Sequence, residues 1–238
     1  MRGPYGFEMS GSCDTCKVRT SIFFCQMAPA AMKAFSAIAY SSVYPEKSVL
    51  FLEKTDPRGV SVLCEGDVKL SISSSGGKTL IVRIAKPGEV LGLTAVVGGT
   101  QYEVTAETLR PCHVAFIRRD DFLRFVAQHP EAYQGIVKQL TSSYDGACEQ
   151  LRTVGLSASV PQRLGRLLLD WSQGAAEAKA GRQIKLPLTH EEIGECIGSS
   201  RESVTRTFSE LTNRHLLSRK GSTVTIPDRT ALESFVNA

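Results

Sequence analysis

The spacing of apolar positions changes character along the chain. In PAAMKAFSAIAY, residues 29–40, Met32, Phe35, Ile38 and Ala39 recur at helical intervals and predict a short amphipathic helix. Further on the period drops to two. Val68, Leu70 and Ile72 alternate with Lys69, Ser71 and Ser73, and Leu80, Val82 and Ile84 repeat the pattern after SSSGGK, a sequence rich in turn formers. These two runs predict a β-hairpin. SVLF, VSVLCEG, QYEVTAET and HVAFI are further short strand candidates, separated by Gly, Pro and Asp at near-regular intervals. Together they predict a small antiparallel roll or sandwich that ends near Ile117.

From Arg119 to Val154 the pattern is helical again. Beyond Pro130, Ile136, Leu140, Tyr144, Ala147, Leu151 and Val154 are spaced four, four, three, four and three apart, close to a heptad, with Lys138, Glu149 and Arg152 beside them. A long helix with one such stripe pairs with its twin in a homodimer or packs on its own β domain, and the dimer is the reading taken here. Ser159-Val160-Pro161 interrupts the chain. A new helix follows, with Leu164, Leu167, Leu168 and Trp171 on one face. GAAEAKAGRQ, small and polar, reads as a loop, and no fixed-period repeat or low-complexity tract is visible.

The most specific local pattern is LTHEEIGECIGSSRESVTRTFSELTNRHLLSRKGSTVTIP. Thr189 with Glu192 forms a capping-box pattern ahead of Ile193 and Ile197. Gly198-Ser199 makes a turn, and Ser199 with Glu202 is a second such pattern, opening a helix whose apolar side is Val204, Phe208 and Leu211. Two capped helices joined by a tight turn form a helix-turn-helix. SRKGSTVTI reads as a small hairpin, a wing. With Val204, Phe208 and Leu211 inward, Ser200, Arg201, Glu202, Ser203, Thr205 and Arg206 stand at the outward N-terminal part of the second helix, where a major-groove reader needs them. Arginine pairs bidentately with guanine, and a carboxylate accepts from cytosine. Glu202 has a second reading as the cap partner alone. Between Ser200 and Gly221, Arg201, Arg206, Arg214, Arg219 and Lys220 face only Glu202 and Glu210, five positive against two negative charges, a balance that suits phosphate. Lys220 in the wing belongs to the same candidate surface.

The length of 238 residues fits two modest domains. The boundaries expected are a cysteine-rich leader over 1–28, a β-roll over 29–128, a dimer helix over 129–158 and a winged helix-turn-helix over 159–238. Apolar residues make up 42% and charged residues 22%, and the net charge is +4. No apolar run approaches the ~20 residues of a membrane helix. The first residues lack the apolar core of a secretory signal, so a soluble, cytoplasmic protein is expected. No Ser/His/Asp constellation, phosphate-cradling glycine loop or paired-carboxylate motif is present, so no catalytic residue is assigned and an enzyme is not expected.

The chain resembles the CRP/FNR family of bacterial transcription regulators over nearly its whole length. THEEIGECIGSSRESVTRTFSELTNRHLLSRKGSTVTI is similar to that family's winged helix-turn-helix, with Ser200-Arg201-Glu202-Ser203-Val204-Thr205-Arg206 nearest the recognition helix of the CRP branch. The FNR branch has Glu-x-x-Ser-Arg there, against Glu202-x-x-Thr205-Arg206 here. The resemblance implies an α+β architecture of cyclic-nucleotide-binding-like β-roll, long dimer helix and winged helix-turn-helix. It also implies a twofold dimer on palindromic double-stranded DNA with TGTGA-like half-sites, and RNA polymerase as a partner. The family commonly grips a cyclic nucleotide through a Gly-Glu pair and a later Arg-Ser or Arg-Thr. Here Pro87-Gly88-Glu89 is followed by GGTQYEVTAET, which lacks the arginine a cyclic phosphate needs.

Seven cysteines, an odd number, argue against a disulfide framework. Cys13, Cys16 and Cys25 precede the roll as the FNR branch's cluster ligands do, and Cys112 falls where that branch keeps its fourth. The resemblance therefore implies a [4Fe-4S] cluster on Cys13, Cys16, Cys25 and Cys112, sensing oxygen, nitric oxide or redox state. The Cys16 to Cys25 interval is longer than the one usual in the FNR branch. Four thiolates also satisfy structural zinc, and Lys17 and Arg19 suit a thiol-disulfide switch. A small ligand in the roll near Gly88 and Glu89 is the alternative sensor. Phe23 and Phe24 shield a cluster or pack on the roll, and Cys64, Cys148 and Cys196 read as small core residues. His113 reads as a packed or solvated histidine rather than a ligand.

Overall fold

A computed structural model describes residues 4–7, 24, 26–156, 159–173, 177–178 and 181–238. Cys13, Cys16 and Cys25 lie outside the described residues. The chain divides into two compact units, Met1–Gly77 with Val82–Ala147, and Lys78–Ile81 with Cys148–Ala238, so the division falls inside the long helix rather than at its ends.

In the first unit α1 (Pro29–Ala37) is the expected amphipathic helix, started by a proline in its first turn. Eight strands follow: β1 (Tyr40–Tyr44), β2 (Val49–Phe51), β3 (Gly59–Glu65), β4 (Val68–Ser73), β5 (Thr79–Ala85), β6 (Val90–Leu91), β7 (Thr105–Thr108) and β8 (Cys112–Arg118). They form two four-stranded sheets, ordered β1-β8-β3-β6 and β2-β7-β4-β5, with antiparallel pairing. Leu63, Leu91, Cys112 and Val114 of the first sheet and Val68, Leu70, Ala85 and Ala106 of the second fill the space between them. The other face of the first sheet carries Val60, Val62, Ala115 and Ile117. It is covered by α1, α2 (Leu93–Gly98), α3 (Arg119–Gln128) and the start of α4 (Glu131–Leu151), through Met32, Phe35, Phe122, Phe125 and Ile136. Alternation along β8 thus serves two cores at once.

Two expectations for this unit change. In β5 the buried residues are Ile81 and Ala85, not Leu80, Val82 and Ile84. The strand lies at a sheet edge and is apolar on both faces, so alternation leaves its inward side unspecified. Ile72 is 39% exposed near the end of β4. On α4, Ile136 is buried in the core against the roll and Leu140 packs on the same cluster, whereas Tyr133, Val137, Tyr144 and Leu151 are exposed. The heptad read as one seam merges an inward stripe with an outward one. Ala147 and Val154 are half-buried.

In the second unit a π-helical turn (Arg152–Leu156) precedes α5 (Val160–Trp171), whose capping box uses Ser159 and Gln162. β9 (Glu177–Ala178) and β10 (Gly181–Lys185) occupy part of the segment expected as loop. They join β11 (Ser218–Lys220) and β12 (Thr223–Ile226) in a sheet ordered β11-β12-β10-β9. α6 (His190–Ile197), α7 (Arg201–Asn213) and α8 (Arg229–Asn237) complete the unit. Leu164 and Leu168 on α5, Ile193 and Ile197 on α6, and Val204 and Leu211 on α7 are all buried.

Candidate nucleic-acid interface and sensor cavity

The interface begins with the turn between α6 and α7. Gly198 adopts φ +61° and ends α6 in the left-handed region, where glycine costs least. At Gly194 a Cβ would lie 2.6 Å from the Ser199 carbonyl oxygen, so the turn closes only over a residue without a side chain. Thr189 and Glu192 form the expected reciprocal cap. The second cap differs: Ser200, one residue later than expected, is the N-cap of α7 and accepts from the Ser203 amide at 3.2 Å. Glu202 is left outside the reciprocal cap and fully exposed. Its own backbone amide and the Ser200 hydroxyl hold its carboxyl below the usual range. Val204, Phe208 and Leu211 are buried as expected. Arg201, Glu202, Thr205 and Arg206 face solvent, Ser203 is half-buried, and Lys220 is exposed at the wing.

Three elements converge beside them. The His190 ring at the start of α6 stacks on Phe208 of α7, centroids 5.1 Å apart. Its Nδ1 lies 2.8 Å from Thr205 Oγ1, and its Nε2 lies 2.7 Å from a guanidinium nitrogen of Arg219 in β11. Arg219 also sits over the Phe208 ring. Thr189, His190, Glu191, Arg201, Thr205 and Arg219 line an open cavity of about 510 Å³.

The first unit holds a second cavity of about 420 Å³, lined among others by Leu70, Val82, Arg83, Gly92, Leu140 and Tyr144. It lies between roll residues and α4, and α4 is fastened there. Gln139 accepts from the Val90 amide at 2.9 Å and donates to the Val90 carbonyl at 2.6 Å. Gly88 and Glu89 do not line the cavity. Glu89 is spent on an ion pair with Arg83 and on the Lys86 amide. Arg83 is a cationic lining residue that sequence reading passed over, since it lies before the Gly-Glu pair rather than after it.

Cys112 is fully buried. It lies on the same face of β8 as Val114, in the core between the sheets, and its thiol donates to the carbonyls of Asp67, 3.3 Å away, and Arg110, 3.1 Å away. Burial pushes its pKa up, so it is held as a neutral thiol. His113, on the opposite face, is buried and lies 2.5 Å from Ser41 Oγ, with the Phe7 ring centroid 6.4 Å away. Phe24, the neighbour of Cys25, is buried between Phe35 and Phe122. Cys196 is buried in α6, and Cys64 and Cys148 are half-buried. Among the described residues no group of three or more His, Cys, Asp or Glu is placed to hold a metal ion.

Residues 42–129 match the cyclic nucleotide-binding domain and residues 162–235 the Crp-like helix-turn-helix domain. Transcriptional activatory protein AadR of Rhodopseudomonas palustris is 27% identical over 218 residues, 91% of this chain and 87% of AadR. The cAMP-activated global transcriptional regulator CRP of Pasteurella multocida is 26% identical over 186 residues, 77% of this chain and 88% of CRP. The structure of FixK2 from Bradyrhizobium japonicum superposes with a TM-score of 0.71 at 20% identity, covering 83% of this chain and 96% of FixK2, a likeness of fold. The chain belongs to the CRP/FNR family. It is a DNA-binding transcription regulator, not an enzyme, and CRP/FNR regulators typically dimerise. No helix of the described residues is long and apolar enough to cross a membrane.

The exposed Arg201, Glu202 and Arg206 stand on the first turns of α7, inside the residues that match the Crp-like helix-turn-helix domain. Sequence reading missed His190 and Gln139, and counted Arg219 only as charge. The position of His190 just after the Thr189 cap was the signal available for it. Gln139 carried none, because its partner is a backbone 49 residues away.

Proposed function

We propose that this CRP/FNR regulator is a homodimer whose affinity for palindromic DNA with TGTGA-like half-sites is controlled by a [4Fe-4S] cluster on Cys13, Cys16, Cys25 and Cys112. The donor set fits in kind, since four thiolates are what such a cluster takes. When bound, the cluster supplies a redox-labile link between leader and roll. The observation that carries the reading is the anchorage of the leader's described residues to the sensor core: Phe24 is locked under α1 and α3, and Phe7 sits beside His113, both on the face of the first sheet opposite to Cys112. Loss of the fourth bond would thus act on a segment already fastened to the sensor core. The cost lies at Cys112, whose thiol must leave two carbonyl partners and the core between the sheets, and meet the leader from the other face, before it takes iron. Zinc meets the same four thiols and the same cost. The exposed stripe of Tyr133, Val137, Tyr144 and Leu151 on α4 supports the dimer, and RNA polymerase is the partner such a regulator addresses.

The cavity beside Gln139 favours a second reading, control by a small ligand in the roll. An occupant there touches α4 directly and lies beside Arg83, whose charge is shared with Glu89. Anaerobic purification with visible spectrum, iron, sulfide and zinc content, wild type beside Cys112→Ala, separates the two. Near-equal iron and sulfide, lost in air and in the variant, supports the cluster. A wild type that stays free of iron after anaerobic reconstitution overturns it and turns the search to zinc and to the cavity.

A further inference from the structure

We infer that His190 is a positioning residue for DNA binding, the side chain that holds the wing's Arg219 and the recognition helix's Thr205 and Arg201 in one register. It rests on the recognition-helix reading of α7. The hydrogen bonds fix the state of the ring. Thr205 Oγ1 donates to the Arg201 carbonyl at 3.0 Å, so its proton is committed and Nδ1 of His190 must be the donor in that pair. A guanidinium has no lone pair to offer, so Nε2 must accept from Arg219. His190 is therefore the neutral Nδ1–H tautomer. One ring carries a donor to α7, an acceptor for β11 and a flat face for Phe208, itself 4% exposed.

Phenylalanine keeps the face alone, and lysine or arginine cannot accept. The charged groups around the ring act in one direction. Burial opposes a positive ring, and Arg219 from β11 and Arg201 from α7 add to it, so the pKa of His190 lies below the usual value. Glu191 lines the same cavity from α6, and Glu192 is engaged with the Thr189 cap. Protonation would place an Nε2–H against the Arg219 N–H and leave the wing without its acceptor.

The test uses the full chain and a duplex selected from a random pool by the wild-type protein, with a scrambled duplex of equal length. Binding of both to wild type, His190→Phe, Arg219→Gln and the double variant is measured by fluorescence anisotropy across pH. His190→Phe, which keeps the stacked ring, is expected to lower the preference for the selected duplex roughly tenfold, the equivalent of ~1.4 kcal/mol. In the wild type the preference falls as pH drops through the protonation of His190, while in His190→Phe it is flat across that range. In the cycle, Arg219→Gln costs less in the His190→Phe background than alone. Nitrogen NMR of the imidazole, which needs no variant to fold, is expected to report the Nδ1–H tautomer at neutral pH. A protonated ring at Nε2, an unchanged preference in His190→Phe, or fully additive losses would overturn the inference. Failure of the wild type to enrich any duplex would instead overturn the recognition-helix reading.

Discussion

The helix-turn-helix and the sensor roll reach their chemistry by opposite routes. In the helix-turn-helix the elements are set by neighbours: Thr189 caps with Glu192, Ser200 caps with Ser203, and Gly194 and Gly198 shape one turn. In the roll the decisive contacts join residues far apart, as in Gln139 with Val90 and Cys112 with Asp67, 49 and 45 positions away. A site built from neighbours is specified by its own sequence, while one built across sheets is specified by register and by which face a strand presents.

Three substitutions test that contrast first. The largest effect is expected from Phe122→Ala, which empties a fully buried ring site between roll and helices and should cost about 3–5 kcal/mol, read as a shift in the denaturation midpoint. Its loss should also loosen Phe24 and with it the leader. Next comes Gly194→Val, where the new side chain meets the Ser199 carbonyl. A penalty of about 1–3 kcal/mol and a loss of DNA binding that leaves the roll folded are expected, checked by circular dichroism and anisotropy. Thr189→Ala removes a cap and should cost ~1 kcal/mol, read in the same melts. If it instead disturbs the roll as strongly as Phe122→Ala, the contrast is wrong.

The smallest effect is on pH dependence. His190 has a folded pKa below its unfolded value, so between the two the unfolded chain binds more protons and stability rises with pH. The gain is complete above the unfolded value of ~6.5 and is lost as pH falls below it. His113, lowered mainly by burial, adds to the same window from the roll. Melts of His190→Phe and His113→Phe against pH divide the two contributions. At the surface, Val137→Asp with Tyr144→Asp should convert dimer to monomer with the roll intact, measured by sedimentation, because both residues are exposed in the single chain.

Legibility followed the same division. The first capping box and the inward face of α7 were plain in the sequence because each needs only helical spacing. The second cap slipped by one residue because Ser199 and Ser200 are adjacent and equally able to cap, and only the backbone after Gly198 decides between them. β9 and β10 were hidden in GAAEAKAGRQ, where no alternation marks a strand. On α4 the spacing was visible, but a helix with two apolar stripes offers the same near-heptad, and only the packing of Ile136 against the roll separates them. Cys112 was legible only as the residue just ahead of the strand candidate HVAFI, where β8 in fact begins. Its direction was not, since that depends on β8 lying between β1 and β3 with a core on each side.

The central claim, that the cysteine leader governs DNA binding, is tested most directly by the DNA affinity of one anaerobically reconstituted sample before and after its iron is removed, with Cys112→Ala as the companion. A change of at least tenfold in the wild type, ~1.4 kcal/mol, with none in the variant, is the predicted result. An affinity that stays constant while the iron and sulfide leave would contradict it.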